Sequence, residues 1–77
     1  MVDDDPVLGC VGRVVVATRG ADGPGEILVG VRGGRETYLA WSREPLPQGA
    51  QVLVVDLRGA RTVDVVAWDG LPSGPWD

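Results

Sequence analysis

Seventy-seven residues make one domain at most, and a chain this short buries only about 60 % of the surface its unfolded form exposes, so its core is marginal. One cysteine (Cys10) and no histidine exclude an internal disulfide and a structural zinc site, so packing, closure or a partner must supply the stability. Eleven acidic residues against seven arginines, with no lysine, give a net charge of −4, which repels phosphate backbones and weighs against nucleic acid as a partner.

The N-terminal Met1-Val2-Asp3-Asp4-Asp5-Pro6 has neither the basic nor the apolar region of a secretory signal. No apolar run approaches the roughly 20 residues of a membrane span. A cytoplasmic protein with a reduced thiol is the expectation, with no direct membrane insertion. The all-arginine basic set reads as GC-rich coding, because no fold demands it. Valine dominates the 44 % hydrophobic fraction, phenylalanine is absent, and 12 glycines and 6 prolines punctuate the chain. β-Branched runs broken by Gly and Pro predict an all-β fold.

Residues 1–8 read as a flexible acidic leader, since three adjacent aspartates repel one another and do not converge on one ion without a spacing loop. The first strand is expected from Cys10 to Thr18, with Gly12, Val14 and Val16 on one face and the wetter face marked by Arg13. Arg19 to Gly25 forms a turn region; because a strand follows it, it is no phosphate cradle. The second strand covers Glu26 to Val31, Gly33-Gly34 makes a hairpin, and the third strand is Arg35 to Ser42.

Pro45 and Pro47 forbid a continuing strand, and Leu46 between them is placed as a plug of the core. The fourth and fifth strands are Gln51 to Arg58 and Arg61 to Trp68, joined by a two-residue Gly59-Ala60 turn. That register pairs Val52 with Ala67, Val54 with Val65 and Asp56 with Val63 on the core face, and sets Arg58 opposite Arg61. Residues 69–77 are expected to be a flexible tail. Five short strands with Gly at the bends suggest a small closed barrel, which also removes exposed sheet edges.

The segment from Gly9 to Trp68 resembles the C-terminal domain of the NfeD family. The resemblance rests on Gly9, Gly12 and Val14 in the opening strand and on Tyr38 two residues before Ala40. Leu46, Gly49, Val52 and Val54 continue it, and Gly59, Val63 and Val65 close it. It implies a five-stranded OB-fold barrel without the helix that many OB-folds place between strands three and four. It also implies an adaptor role beside stomatin- or flotillin-like proteins of the SPFH group, which organise membrane microdomains. The anchor and the serine protease domain of longer members have no counterpart in these 77 residues.

No constellation for catalysis emerges, and no cofactor is expected. Hydrolytic chemistry usually needs a histidine base. Nothing basic is committed to activating Cys10. Asp56 and Asp64 fall on opposite faces in the expected register, which argues against a glycosidase pair. Arg32, Arg35, Trp41 and Arg43 cluster around the third strand as a candidate partner-docking patch, since Trp and Arg are frequent interface anchors; the plainer reading has Trp41 capping the barrel while the arginines solvate it. An OB-type nucleic-acid module and a self-assembling barrel subunit (a homo-oligomer) stay open as alternatives.

Overall fold

The computed structural model describes residues 7–31 and 33–68. β-Branched stretches form five strands: β1 (Val11–Val16), β2 (Gly25–Val31), β3 (Gly34–Trp41), β4 (Gln51–Gly59) and β5 (Thr62–Ala67). A short 3-10 turn, Gly20–Asp22, joins β1 to β2. The strands close into a barrel in the order β1-β2-β3-β5-β4, with β4 returning to β1. All neighbours are antiparallel except β3 and β5, which run parallel. This is the all-β, OB-like barrel that the sequence predicts. Residues 42–50, between β3 and β4, form bends and turns in place of a helix.

The interior is filled with medium-sized side chains. Val14, Ile27, Val29, Ala40, Val52, Val54, Val63 and Val65 are buried together, with Leu46 and Tyr38 packed against them. A five-stranded barrel leaves a narrow lumen, and valine from every strand fills it without phenylalanine. Val7 also belongs to this core and is fully buried. The barrel therefore begins at Val7, inside the stretch expected to be leader. The Gly9 N–H donates to the Val54 carbonyl at 2.9 Å and the Cys10 N–H to the Val7 carbonyl at 3.0 Å, which ties this segment down. The rest of the expected leader and the expected tail lie outside the described residues.

Two irregularities correct the expected registers. In β1 a bulge between Val14 and Val16 breaks the alternation, so Val16 faces out while Val14 stays in. In β4 the pairs Val52–Ala67, Leu53–Val66 and Val54–Val65 form as expected, but Asp56 then pairs with Asp64, Leu57 with Val63 and Gly59 with Thr62. Val55 and Arg58 are thus extra residues, one at each bulge. The hairpin turn becomes Ala60-Arg61, not Gly59-Ala60, and Arg61 adopts a left-handed φ of 51°.

Gly25, paired with Ala40, has a steric reason to be glycine. A Cβ there would strike the carbonyl oxygens of Val16 and Ala17, the latter at 2.6 Å. Backbone cannot yield as a flexible side chain can. Gly25→Ala is expected to lower the urea midpoint by the equivalent of about 1–3 kcal/mol. Gly30→Ala, with its nearest neighbour 3.9 Å away, is expected to stay within about 1 kcal/mol of wild type; equal losses at both sites would reject the steric account. Val54→Asp places an unpaired charge in the lumen, which costs several kcal/mol in a marginal domain. Its circular dichroism should show an unfolded chain at room temperature, and a native spectrum would contradict the core assignment.

Candidate docking groove

The parallel contact between β3 and β5 is short: Leu39–Thr62, Ala40–Val63 and Trp41–Asp64. Because Ala40 and Val63 point inward, Trp41 and Asp64 point outward on adjacent strands. Asp56 stands next to Asp64 on β4. The Arg58 bulge frees that side chain from strict alternation and aims it across β5. Its guanidinium lies 4.6 Å from the Trp41 ring centroid, and its Nε donates to Asp64 Oδ1 at 2.8 Å.

The same arrangement recurs nearer the hairpin tip. Arg61 lies 5.1 Å from the Tyr38 ring centroid and donates to Glu36 Oε1 at 2.8 Å. The two arginines expected to repel each other are therefore each engaged with a separate carboxylate and a separate aromatic ring of β3. Each exposed contact is worth up to about 1 kcal/mol, and both span the short parallel seam.

Around Trp41 the surface sinks into an open groove of about 700 Å³. Trp41, Ser42 and Arg43 form one side, Val55, Asp56 and Arg58 of β4 another, and Gly20-Ala21 of the 3-10 turn close an end. Both bulge residues of β4 line it. Ser42 and the segment beyond are fixed by a chain of hydrogen bonds. The Leu46 N–H donates to Thr18 Oγ1 at 2.7 Å, and the Ser42 hydroxyl donates to the Glu44 carbonyl at 2.6 Å. The Thr18 hydroxyl must then donate to Ser42 Oγ, 2.7 Å away, because Ser42 has spent its only proton. Thr18 is almost fully buried, so this chain satisfies a polar group that otherwise would be costly.

The structure brings Trp41 and Arg43 together in the groove but places Arg35 elsewhere, in a shallower depression with Arg13 and Leu28. Arg32 lies outside the described residues. Sequence reasoning missed Arg58, Asp64 and Val55, since strict alternation gives no sign of a bulge. It also separated Asp56 from Asp64, which the Val55 bulge makes neighbours. Their carboxylates are nonetheless engaged: Asp64 holds Arg58, and Asp56 Oδ1 accepts the Leu57 N–H at 2.8 Å. Among the described residues no group of three or more His, Cys, Asp or Glu could hold a metal ion, and no helix is long and apolar enough to cross a membrane.

Residues 11–66 match the family model described as the NfeD C-terminal domain. The chain belongs to that family. Two solved structures agree with this. The C-terminal domain of stomatin operon partner protein 1510-C from Pyrococcus horikoshii is 29 % identical, with a TM-score of 0.67 over 91 % of this chain and 100 % of that one. The soluble domain of the NfeD protein YuaF from Bacillus subtilis is also 29 % identical, with a TM-score of 0.68 over 82 % of this chain and 75 % of that one. A search of curated proteins gives no match.

The hydrogen-bond chain behind the groove of this NfeD domain yields a prediction. Thr18→Val removes the acceptor of the Leu46 N–H and should cost about 1–3 kcal/mol, the penalty of a buried unpaired donor. Ser42→Ala, at a more exposed link, should cost about 0.5–1.5 kcal/mol. Urea denaturation of both variants checks the ranking, and the reverse order would show that Thr18 is not the central link.

Proposed function

We propose that this domain is a non-catalytic interaction module that docks on a stomatin- or flotillin-type scaffold of the SPFH group, at the cytoplasmic face of a membrane. The observation that carries the reading is the similarity, over the whole of the neighbouring domain, to a protein named as a stomatin operon partner. Family membership supports it. The groove adds a chemical argument. It combines a tryptophan ring with arginines, residue types enriched in protein-docking hot spots. Its two carboxylates contact an arginine and a backbone N–H.

Co-purification with a stomatin-type protein tests this. Wild-type domain should retain the scaffold, and Trp41→Ala should weaken retention by more than about tenfold, the loss typical of a hot-spot residue. Trp41→Ala also releases Arg58, so Arg61→Ala serves as the control: it loosens the other arginine–aromatic contact, away from the groove, and should leave retention intact. Fluorescence anisotropy against mixed-sequence oligonucleotides forms the second arm. Micromolar binding with a steep salt dependence would replace the adaptor reading with a nucleic-acid one.

A further inference from the structure

Charge is unevenly divided along the chain. Residues 7–68 carry seven arginines and six carboxylates, a net +1, while five aspartates, Asp3, Asp4, Asp5, Asp69 and Asp77, lie outside them. The net −4 of the whole therefore belongs to the ends, and the barrel itself does not repel an acidic segment. Its arginines are not alike. Arg58 and Arg61 are held by Asp64 and Glu36. Arg43 shares its groove with Asp56 and Asp64 and a smaller pocket with Glu44. Arg13 and Arg35, by contrast, line one depression of about 340 Å³ together with Val11, Leu28, Gly30 and Gln51, and no carboxylate lines it. Neither makes an ion pair among the described residues.

The strand register explains how the two are placed. Arg13 of β1 pairs with Leu28 of β2, and Arg35 of β3 pairs with Gly30. Leu28 and Gly30 are successive outward residues of β2, so the arginines stand diagonally across that strand. Gly30 has no side chain, and a Cβ there would meet nothing nearer than 3.9 Å, so the space above it is open. Glu26, the next outward residue of β2, pairs with Val16 and makes no ion pair with Arg13. Glu36, beside Arg35, is held by Arg61.

We propose that this depression is a carboxylate-binding site and that its occupant is the chain's own Asp3-Asp4-Asp5 segment. The inference does not rest on the adaptor reading. Those aspartates lie outside the described residues, but the point where they join the barrel is fixed. Val7 is fully buried. The hydrogen bond from the Cys10 N–H to the Val7 carbonyl closes a turn, which holds the two Cα atoms within about 7 Å, and Val11, next along, lines the depression. Asp5 and Asp3 precede Val7 by two and four residues, a reach of roughly 7 and 14 Å. Residues i and i+2 of an extended chain face one way, so Asp3 and Asp5 can engage two arginines while Asp4 stays in water. Tethering gives the segment an effective concentration on the order of millimolar, which an acidic segment of another molecule must exceed. The groove around Trp41 is less open to it, because Asp56 and Asp64 line that surface. The leader is thus a competitor in cis: an acidic partner segment reaches Arg13 and Arg35 only by displacing it.

The test compares 15N spectra of the full chain with those of a variant carrying Asp3→Asn, Asp4→Asn and Asp5→Asn. At low salt the differences should reach beyond the leader to Arg13, Leu28, Gly30, Arg35 and Gln51. They should vanish at about 0.5 M salt, where the Debye length falls to roughly 4 Å. Arg13→Gln with Arg35→Gln, both at exposed positions, should shift the amides of Asp3 to Asp5, and Arg43→Gln should not. Octa-aspartate, used as a free carboxylate probe, should bind the triple-Asn variant at least about threefold more tightly than the parent chain, since no tethered competitor remains. Arg13→Gln with Arg35→Gln should erase that gain, which separates loss of the competitor from the change in net charge. Differences confined to the leader and Val7 to Cys10, or centred on Arg19, Arg43 or Arg58, would overturn the proposal. So would equal affinity of the two chains for octa-aspartate. Differences that fade on dilution would assign the contact to the leader of a second copy and overturn the assignment in cis.

Discussion

Closure of the barrel hangs on the parallel seam between β3 and β5. Every other strand pair is antiparallel, and β2–β3 and β4–β5 are consecutive hairpins whose turns bring them together. The β3–β5 contact, like β1–β4, joins strands distant in sequence through three residue pairs, and as the parallel one of the two it is slightly weaker per residue. If it opened, β3 and β5 would both present edges, in a chain rich in valine. The Leu39 N–H donates to the Arg61 carbonyl and lengthens the seam by one bond. Arg58 on Trp41 and Asp64, and Arg61 on Tyr38 and Glu36, brace it from outside. Arg61 holds a left-handed backbone that disfavours any side chain with a Cβ, and its partners on β3 compensate for that cost.

The bracing and the candidate docking surface share residues. Arg58 reaches Trp41 because β4 carries an extra residue there, and the other extra residue, Val55, stands exposed in the same groove. A regular β4 would have kept strict alternation and offered neither. Irregularity in one strand thus shapes the groove, as bulges near sites commonly do, while the lumen keeps its valine packing because Val52, Val54, Val63 and Val65 retain their inward positions.

Fold class, strand count and most of the core were legible because alternation reports burial directly. Val52, Val54, Val63 and Val65 read as core-face residues and are buried. Leu46 read as a plug and packs against the core. What alternation cannot report is where a ladder slips by one residue. The bulges at Val55 and Arg58 changed the partners of Asp56, Leu57 and Gly59, and the one after Val14 turned Val16 outward. Val7 was missed for a different reason: the aspartates and Pro6 beside it dominate any local reading, and its burial depends on a non-local bond from Gly9 to Val54. The docking patch was half legible. Trp41 and Arg43 share a groove since they flank Ser42 at one strand end, but Arg35 lies at the other end of β3, beyond the reach of that groove.

Closure also decides how such a domain can engage a partner. Many β proteins accept an extended peptide as an extra strand on a free edge, with main-chain hydrogen bonds giving most of the affinity. Here β1, β2, β3, β5 and β4 each have two neighbours, so no described strand offers that edge. Recognition must come through side chains on the outer face. On a protein of net charge −4, a partner carrying acidic groups is repelled at a distance and is accepted only where arginine is locally unpaired. The demand on side chains follows from a barrel that has already used its backbone hydrogen bonds to close on itself.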